Sequence, residues 1–225
     1  FTSTGYFQES LAKFSGNSSV PDFNFPYVNS NVEEIIDDGT GGYFVCGAFF
    51  TANGNSQQRI LHILSDGSVD EDFNPVINST VFDIFLDGDD LYVAGAFSTI
   101  NGSPFLRLAR LDATTGEPDL TFTPEVNSTV NSVWVENGTV FFGGGFLEVN
   151  ETSRVRAAAV DVNGNLTSWD PAPNSTVEDI EFANGAVYVA GSFSAISGES
   201  RDRIAALDPT TAAVTAFDPG DINGT

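Results

Sequence analysis

The chain has 225 residues and a mass of 23.9 kDa, and its 31 acidic against 8 basic side chains give a formal charge of −23 and a pI near 4.1. One Lys and seven Arg cannot form a basic patch that neutralises phosphates, and an anionic bilayer repels so acidic a chain; nucleic-acid and membrane-surface partners are excluded. Twenty Phe and 41% hydrophobic residues argue for a packed core over disorder, and no apolar run approaches the ~20 residues that span a bilayer. The sequence begins at Phe1 and holds no Met. That reads as a processed chain or a fragment of something longer, with no signal peptide remaining. A single Cys allows no intramolecular disulfide.

Taken in chain order, the residues form a repeat. Residues 1–26 read as a partial unit: Gly5-Tyr6-Phe7 ends a second strand, and Leu11-Ala12-Lys13-Phe14 is a third. Fuller units follow at 27–75, 76–124, 125–171 and 172–219, with a tail at 220–225. Val45-Cys46-Gly47-Ala48-Phe49 returns as Val93-Ala94-Gly95-Ala96-Phe97, Phe142-Gly143-Gly144-Gly145-Phe146 and Val189-Ala190-Gly191-Ser192-Phe193. The first Gly of each Gly-x-Phe falls at 47, 95, 144 and 191, a period of about 48 residues. Pro26, Pro75, Pro124, Pro171 and Pro219 keep the same phase, as do the short apolar strands Leu108–Leu111, Ala157–Val160 and Ile204–Leu207.

One unit shows the local pattern. Val81–Leu86 is a strand, Asp87–Asp90 a turn and Leu91–Gly95 a strand; a longer loop runs from Ser98 to Pro104. A strand over Leu106–Asp112, a turn over Ala113–Glu117 and a last strand ending at Phe122 complete it. Asp-Gly and Asn-Gly tips supply the positive φ that tight hairpins need. No window holds a useful helical period. Four short strands per ~48 residues predict an all-β propeller of about five blades, the first incomplete. Glycine in the second strand is expected to permit close backbone approach, and the Phe two residues later to fill the space between blades.

These residues resemble a known family. Tyr-Val-Ala-Gly-x-Phe, Arg203 to Asp208, the Thr-Thr-Gly turn at Thr114–Gly116 and the run Leu64 to Phe73 are similar to delta-type repeats. Those build β-propellers of large secreted and surface bacterial proteins, with relatives in fungal cortical polarity-marker proteins. The resemblance covers nearly all of the chain and implies the propeller fold and an extracellular or cell-surface location. It carries over no catalytic motif.

Asn-x-Ser/Thr occurs nine times, at Asn17, Asn78, Asn101, Asn127, Asn137, Asn150, Asn165, Asn174 and Asn223, where 18 Asn and 40 Ser plus Thr would give about three by chance. Asn78, Asn127 and Asn174 share one repeat position, and the first repeat has Asn29-Ser30-Asn31 there. The excess points to covalent N-glycans. Against that, Asn, Ser and Thr are also turn residues, and repeat copies are not independent.

Candidates for chemistry are few. Asp66 to Asp72, Asp87 to Asp90 and Asp161 to Asn165 are the candidate Ca²⁺ loops, but none supplies the alternating carboxylates and bidentate Glu of a tight site. Cys46 replaces Ala94, Gly143 and Ala190 in the repeat, so it reads as a small buried strand residue, and His62 reads as structural. Usual zinc ligand sets are missing. Tyr43, Tyr92, Tyr188, Trp134 and Trp169 offer either core or a sugar-stacking platform. The expectation is a non-enzymatic extracellular structural repeat protein without cofactor, a glycosylated surface or filament subunit. Its partners would be copies of itself, assembling head-to-tail by completing an open blade, or neighbouring domains of a longer parent chain. The alternatives are an adhesin-type glycan- or protein-binding module and, less favoured, a glycoside-processing enzyme.

Overall fold

The computed structural model describes residues 10–14 and 25–220. Gly5-Tyr6-Phe7, Asn17 and Asn223 lie outside the described residues. No helix occurs among those described.

Blade 1 holds β1 (Val32–Asp37), β2 (Tyr43–Gly47), β3 (Thr51–Ala52), β4 (Asn55–Ser56) and β5 (Ile60–Ile63). Blade 2 holds β6 (Val81–Asp87), β7 (Asp90–Gly95), β8 (Thr99–Ile100), β9 (Ser103–Pro104) and β10 (Leu108–Asp112). Blade 3 holds β11 (Val130–Glu136), β12 (Thr139–Gly144), β13 (Glu148–Val149), β14 (Thr152–Ser153) and β15 (Ala157–Asp161). Blade 4 holds β16 (Val177–Ala183), β17 (Ala186–Gly191), β18 (Ala195–Ile196), β19 (Glu199–Ser200) and β20 (Ile204–Leu207). In each blade the first, second and last of these strands form an antiparallel three-stranded sheet, and the two short ones form a separate hairpin.

The propeller reading holds, with three local differences. The loop at Ser98 to Pro104 contains the β8–β9 hairpin. The third strand starts at Leu108 because Arg107 sits at φ 71°, a left-handed conformation that cannot continue a strand. The fourth strand shrinks to one bridge per blade: Ile63 with Val69, Leu111 with Pro118, Val160 with Leu166, Leu207 with Val214. In blade 2 the ladder stops there because Asp119 turns the chain by accepting the Thr121 N–H at 2.7 Å.

Glycine in the second strand has the expected cause. A Cβ on Gly47, Gly95, Gly144 or Gly191 would lie 2.1, 2.3, 2.1 or 2.2 Å from the carbonyl oxygen of Asn31, Thr80, Thr129 or Thr176. Each approach sits at a β-bulge where the first strand gains one residue, between Val32 and Glu34 in blade 1 and at the same place in the others.

The core is a series of seams between blades. Every blade has a front face toward the preceding blade and a rear face toward the next. Rear residues Phe44, Cys46, Ile60 and Phe73 of blade 1 cluster with front residues Val81, Ile84, Leu91 and Val93 of blade 2. Tyr92, Ala94, Leu108 and Phe122 meet blade 3, and Phe141, Ala157, Ala159 and Trp169 meet blade 4. Phe97, Phe146 and Phe193 are buried in these seams, as their repeat position predicted. Burying one such ring is worth roughly 1.5–3 kcal/mol.

Candidate functional site

The first strands of all four blades line one axial cavity of about 440 Å³. Its wall carries Glu34, Asp83 and Asp179 at one repeat position, with Ser132 holding that place in blade 3. Two residues on, Phe85 and Trp134 pack at a centroid distance of 4.8 Å and tilt by 55°. The polar ring also ties blades together. The Val133 N–H donates to Asp83 Oδ2 at 2.7 Å, and the Ile180 N–H donates to Ser132 Oγ at 3.1 Å. Both bonds join a first-strand side chain to the next blade's backbone. The Ser132 hydroxyl in turn donates to Asp179 Oδ1 at 3.2 Å.

Burial pushes the Asp83 carboxyl up to about 6, against the hydrogen bonds from the Val133 and Ile84 N–H groups that favour its charged form. A raised carboxyl binds its proton more tightly folded than unfolded. Its contribution is therefore fully present below the ordinary Asp value near 4 and is lost as pH rises through about 6. A rise of that size is worth on the order of 3 kcal/mol. Urea unfolding of the parent should show this falling component between about pH 4 and 6, and Asp83→Asn should lose it. An identical slope in the variant would refute the assignment.

Of the described sequon asparagines, Asn78, Asn101, Asn127, Asn137, Asn165 and Asn174 are exposed and Asn150 is half-buried. Several also hold loops. Oδ1 of Asn78 accepts the Ser98 and Thr99 N–H groups at 2.9 and 3.1 Å, and Asn127 and Asn174 repeat this on Leu147–Glu148 and Ser194–Ala195. Asn29, which has no sequon, does the same to Phe50 and Thr51. The recurrent asparagine is thus a loop clamp in its own right. Asn101 and Asn150 form a second set, at φ 49° and 50°, accepting the Val76 and Glu125 N–H groups at 2.8 Å. Asn137, at φ 50°, donates Nδ2–H to Glu136, and Asn165 donates to Asp161.

The acidic loops make turns. Asp66 accepts the Ser68 N–H and hydroxyl, and Asp161 accepts the Asn163 and Asn165 N–H groups. Among the described residues no three His, Cys, Asp or Glu side chains gather to hold a metal ion.

Cys46 is fully buried on β2, and burial pushes its thiol well above the usual range. His62 stacks on Phe44 at 4.4 Å, with Nδ1 2.9 Å from Asp70 and Nε2 3.0 Å from Asp38. Burial raises the Asp38 carboxyl, but hydrogen bonds from His62, Thr40 and Gly42 outweigh it and hold it well below the usual carboxylate range. His62 takes the repeat position of Arg110, which pairs with Asp119 and lies over Tyr92 and Phe122. Tyr92 and Trp169 are core, whereas Trp134 lines the axial cavity.

Sequence reasoning missed a set of arginines. Arg59, Arg107, Arg156 and Arg203 share one repeat position at φ 69°, 71°, 64° and 66°. Their backbone carbonyls accept the N–H of Gly47, Gly95, Gly144 and Gly191, and their own N–H groups donate to Phe49, Phe97, Phe146 and Phe193. The recurring Arg before the third strand was the available signal.

Among the described residues, the rear face of blade 4 and part of the front face of blade 1 are less covered than their counterparts. Rear residues Phe44, Tyr92 and Phe141 are buried, but their counterpart Tyr188 is half-buried. The same contrast separates Ala190 from Cys46 and Ala94, Ile204 from Ile60 and Leu108, and Phe217 from Phe73, Phe122 and Trp169. A shallow cavity over blade 4 is lined by Asp179, Tyr188, Ala190 and Ile204. On the front of blade 1, Ile35 is 45% exposed where Ile84, Val133 and Ile180 are each 2%.

A family model described as a beta-propeller domain of unknown function (DUF5122) matches residues 41–73 and 90–122. The two stretches are the same part of consecutive repeats, from the second strand to the aromatic before Pro75 and Pro124. They support a propeller-type repeat family. No curated protein matches the chain. Among solved structures it is similar to the computationally designed Ika4 protein, with 11% identity and a TM-score of 0.47 over 72% of this chain and 86% of that one. It is also similar to the computationally designed Ika8 protein, with 11% identity and a TM-score of 0.33 over 85% of each.

Proposed function

We propose that this is a non-catalytic structural repeat protein, an extracellular, N-glycosylated surface or filament subunit that joins its neighbours through open blade faces. The observation that carries this reading is the rear face of blade 4. Tyr188, Ala190, Ile204 and Phe217 repeat the chemistry of three faces that are buried in seams, yet stand half-covered. An uncovered apolar sheet face of this kind invites another blade. The likeness to delta-type repeats and the surface sequon asparagines agree with a secreted, glycan-bearing surface protein.

Light scattering on the native chain tests it, with negative-stain microscopy for particle shape. Species that grow with concentration and dissolve on Ala190→Lys are expected. A chain that stays monomeric, or assemblies indifferent to Ala190→Lys, would sink this reading. A binding module is the second reading, favoured by Phe85 and Trp134 beside the carboxylates of the axial cavity. Saturable binding on a glycan array, lost on Trp134→Ala, would move it to first place.

A further inference from the structure

The internal seams define what a front face accepts. A Cβ on Gly143 would lie 2.2 Å from Val177 Cγ1 and 3.0 Å from Ile180 Cδ1. Rear position 143 is therefore opposite front positions 177 and 180. At the two ends of the blade series the corresponding residues are Ala190 on the rear and Val32 and Ile35 on the front.

The front of blade 1 is partly filled from within the chain. Leu11 and Phe25 are buried and cluster with Val45, Leu61 and Ile63. Leu11 holds the repeat position of Ile60, Leu108 and Ile204, and Lys13 that of His62 and Arg110. Lys13 Nζ lies 5.6 Å from the Phe25 ring centre, as the Arg110 guanidinium lies 5.4 Å from that of Phe122. Phe25 thus stands for the aromatic of a rear face. Together these residues reproduce the outer half of such a face. The inner half of the front, at Val32, Ile35 and Tyr43, remains half-buried or exposed.

We infer that this partial unit is an internal plug: it imitates the rear face of a neighbour, and blade 4 of a second copy of the chain competes with it for the front of blade 1. This rests on blade 4 being an assembly surface. Ile204 and Phe217 of the incoming copy claim the places of Leu11 and Phe25. Tyr188 and Ala190 then cover Val32, Ile35 and Tyr43, burying apolar surface the plug leaves open. The incoming Asp179 stands to the Ile35 N–H as Asp83 stands to that of Val133. Asp179 Oδ2 accepts no hydrogen bond among the described residues. The plug's advantage is its tether, which gives it a high effective concentration that a free copy must exceed. Assembly is then held back by Leu11 and Phe25 of the same chain.

Sedimentation velocity on the full chain carrying Leu11→Asp tests this, with near-UV circular dichroism to confirm folding. Loosening the plug should lower the concentration at which larger species form by at least about tenfold. Adding Ala190→Lys or Ile35→Glu should abolish those species. Phe25→Ala, a milder change, should act in the same direction if Leu11→Asp unfolds. A parent chain that assembles through Ala190, with an unmoved midpoint in both plug variants, overturns the plug and leaves the assembly reading standing. A monomeric parent with Ala190-dependent assembly in the plug variants supports the plug and overturns unaided assembly. Monomers in every case overturn both.

Discussion

Trp169→Ala will lower stability by about 4 kcal/mol, the range for truncating a fully buried aromatic. Trp169 is 1% exposed at the seam of blades 3 and 4. Its ring meets Phe141 edge-on at 5.1 Å, and its Nε1–H donates to the Asp208 carbonyl at 3.1 Å. The repeat explains why a Trp stands there. Blades 1 and 2 put Phe73 beside Ile60 and His62, and Phe122 beside Leu108 and Arg110; blade 3 has Ala157 and Ala159 instead. The larger ring fills the room those alanines leave. Trp169→Phe should therefore cost less, roughly 1–2 kcal/mol, and Ala157→Leu in that background should recover part of it. Urea midpoints at constant m-value read the loss. Because each blade touches its neighbours, hydrogen exchange should quicken in β16, β17 and β20 while β1 and β2 keep their protection. A loss below about 1 kcal/mol would mean the seam collapses around the gap.

Gly144→Ala is the second large effect. The added Cβ would lie 2.1 Å from the Thr129 carbonyl oxygen and 2.9 Å from Val130 Cα. Both are backbone atoms at the bulge, so no side chain can rotate away. The strand pair must separate, and the expected loss is about 3 kcal/mol or more. Gly88→Ala is the control. Gly88 has φ +63° but open space around it, so only the left-handed backbone resists, at about 1 kcal/mol. Thermal melts of the two variants should be far apart. Comparable melts would mean that close approach is not what requires Gly144.

The architecture was legible because its landmarks recur in phase, and two of them prove to be packing devices. Gly47 and its counterparts admit a carbonyl; Phe97 and its counterparts fill seams. The shrinkage of the fourth strand was not legible, because it depends on where Asp119 and its like turn the chain. Periodicity cannot show that. The arginines at positive φ were hidden for a similar reason, since β-sheet patterns assume an extended backbone. The axial cavity was invisible too. Asp83, Phe85 and Trp134 come from two blades about one repeat apart, and only closing the seams brings them to one axis. The uncovered residues of blades 1 and 4 follow only from comparing seams.

The arginine set bears on how two such molecules meet in solution. Arg59 and Arg107 direct their guanidinium groups to carbonyls of the Gly-x-Phe segment, and Arg156 to that of Pro173. Three of the few basic groups are thus turned toward backbone dipoles, and Arg110 is paired with Asp119. The outward carboxylates then have little counter-charge on their own molecule, and like-charged surfaces repel across a range set by the Debye length, about 10 Å at 0.1 M salt. Small ions from the medium must do the neutralising. Ionic strength thereby becomes the gate on any encounter between copies, and brackish or saline surroundings open it wider than fresh water does.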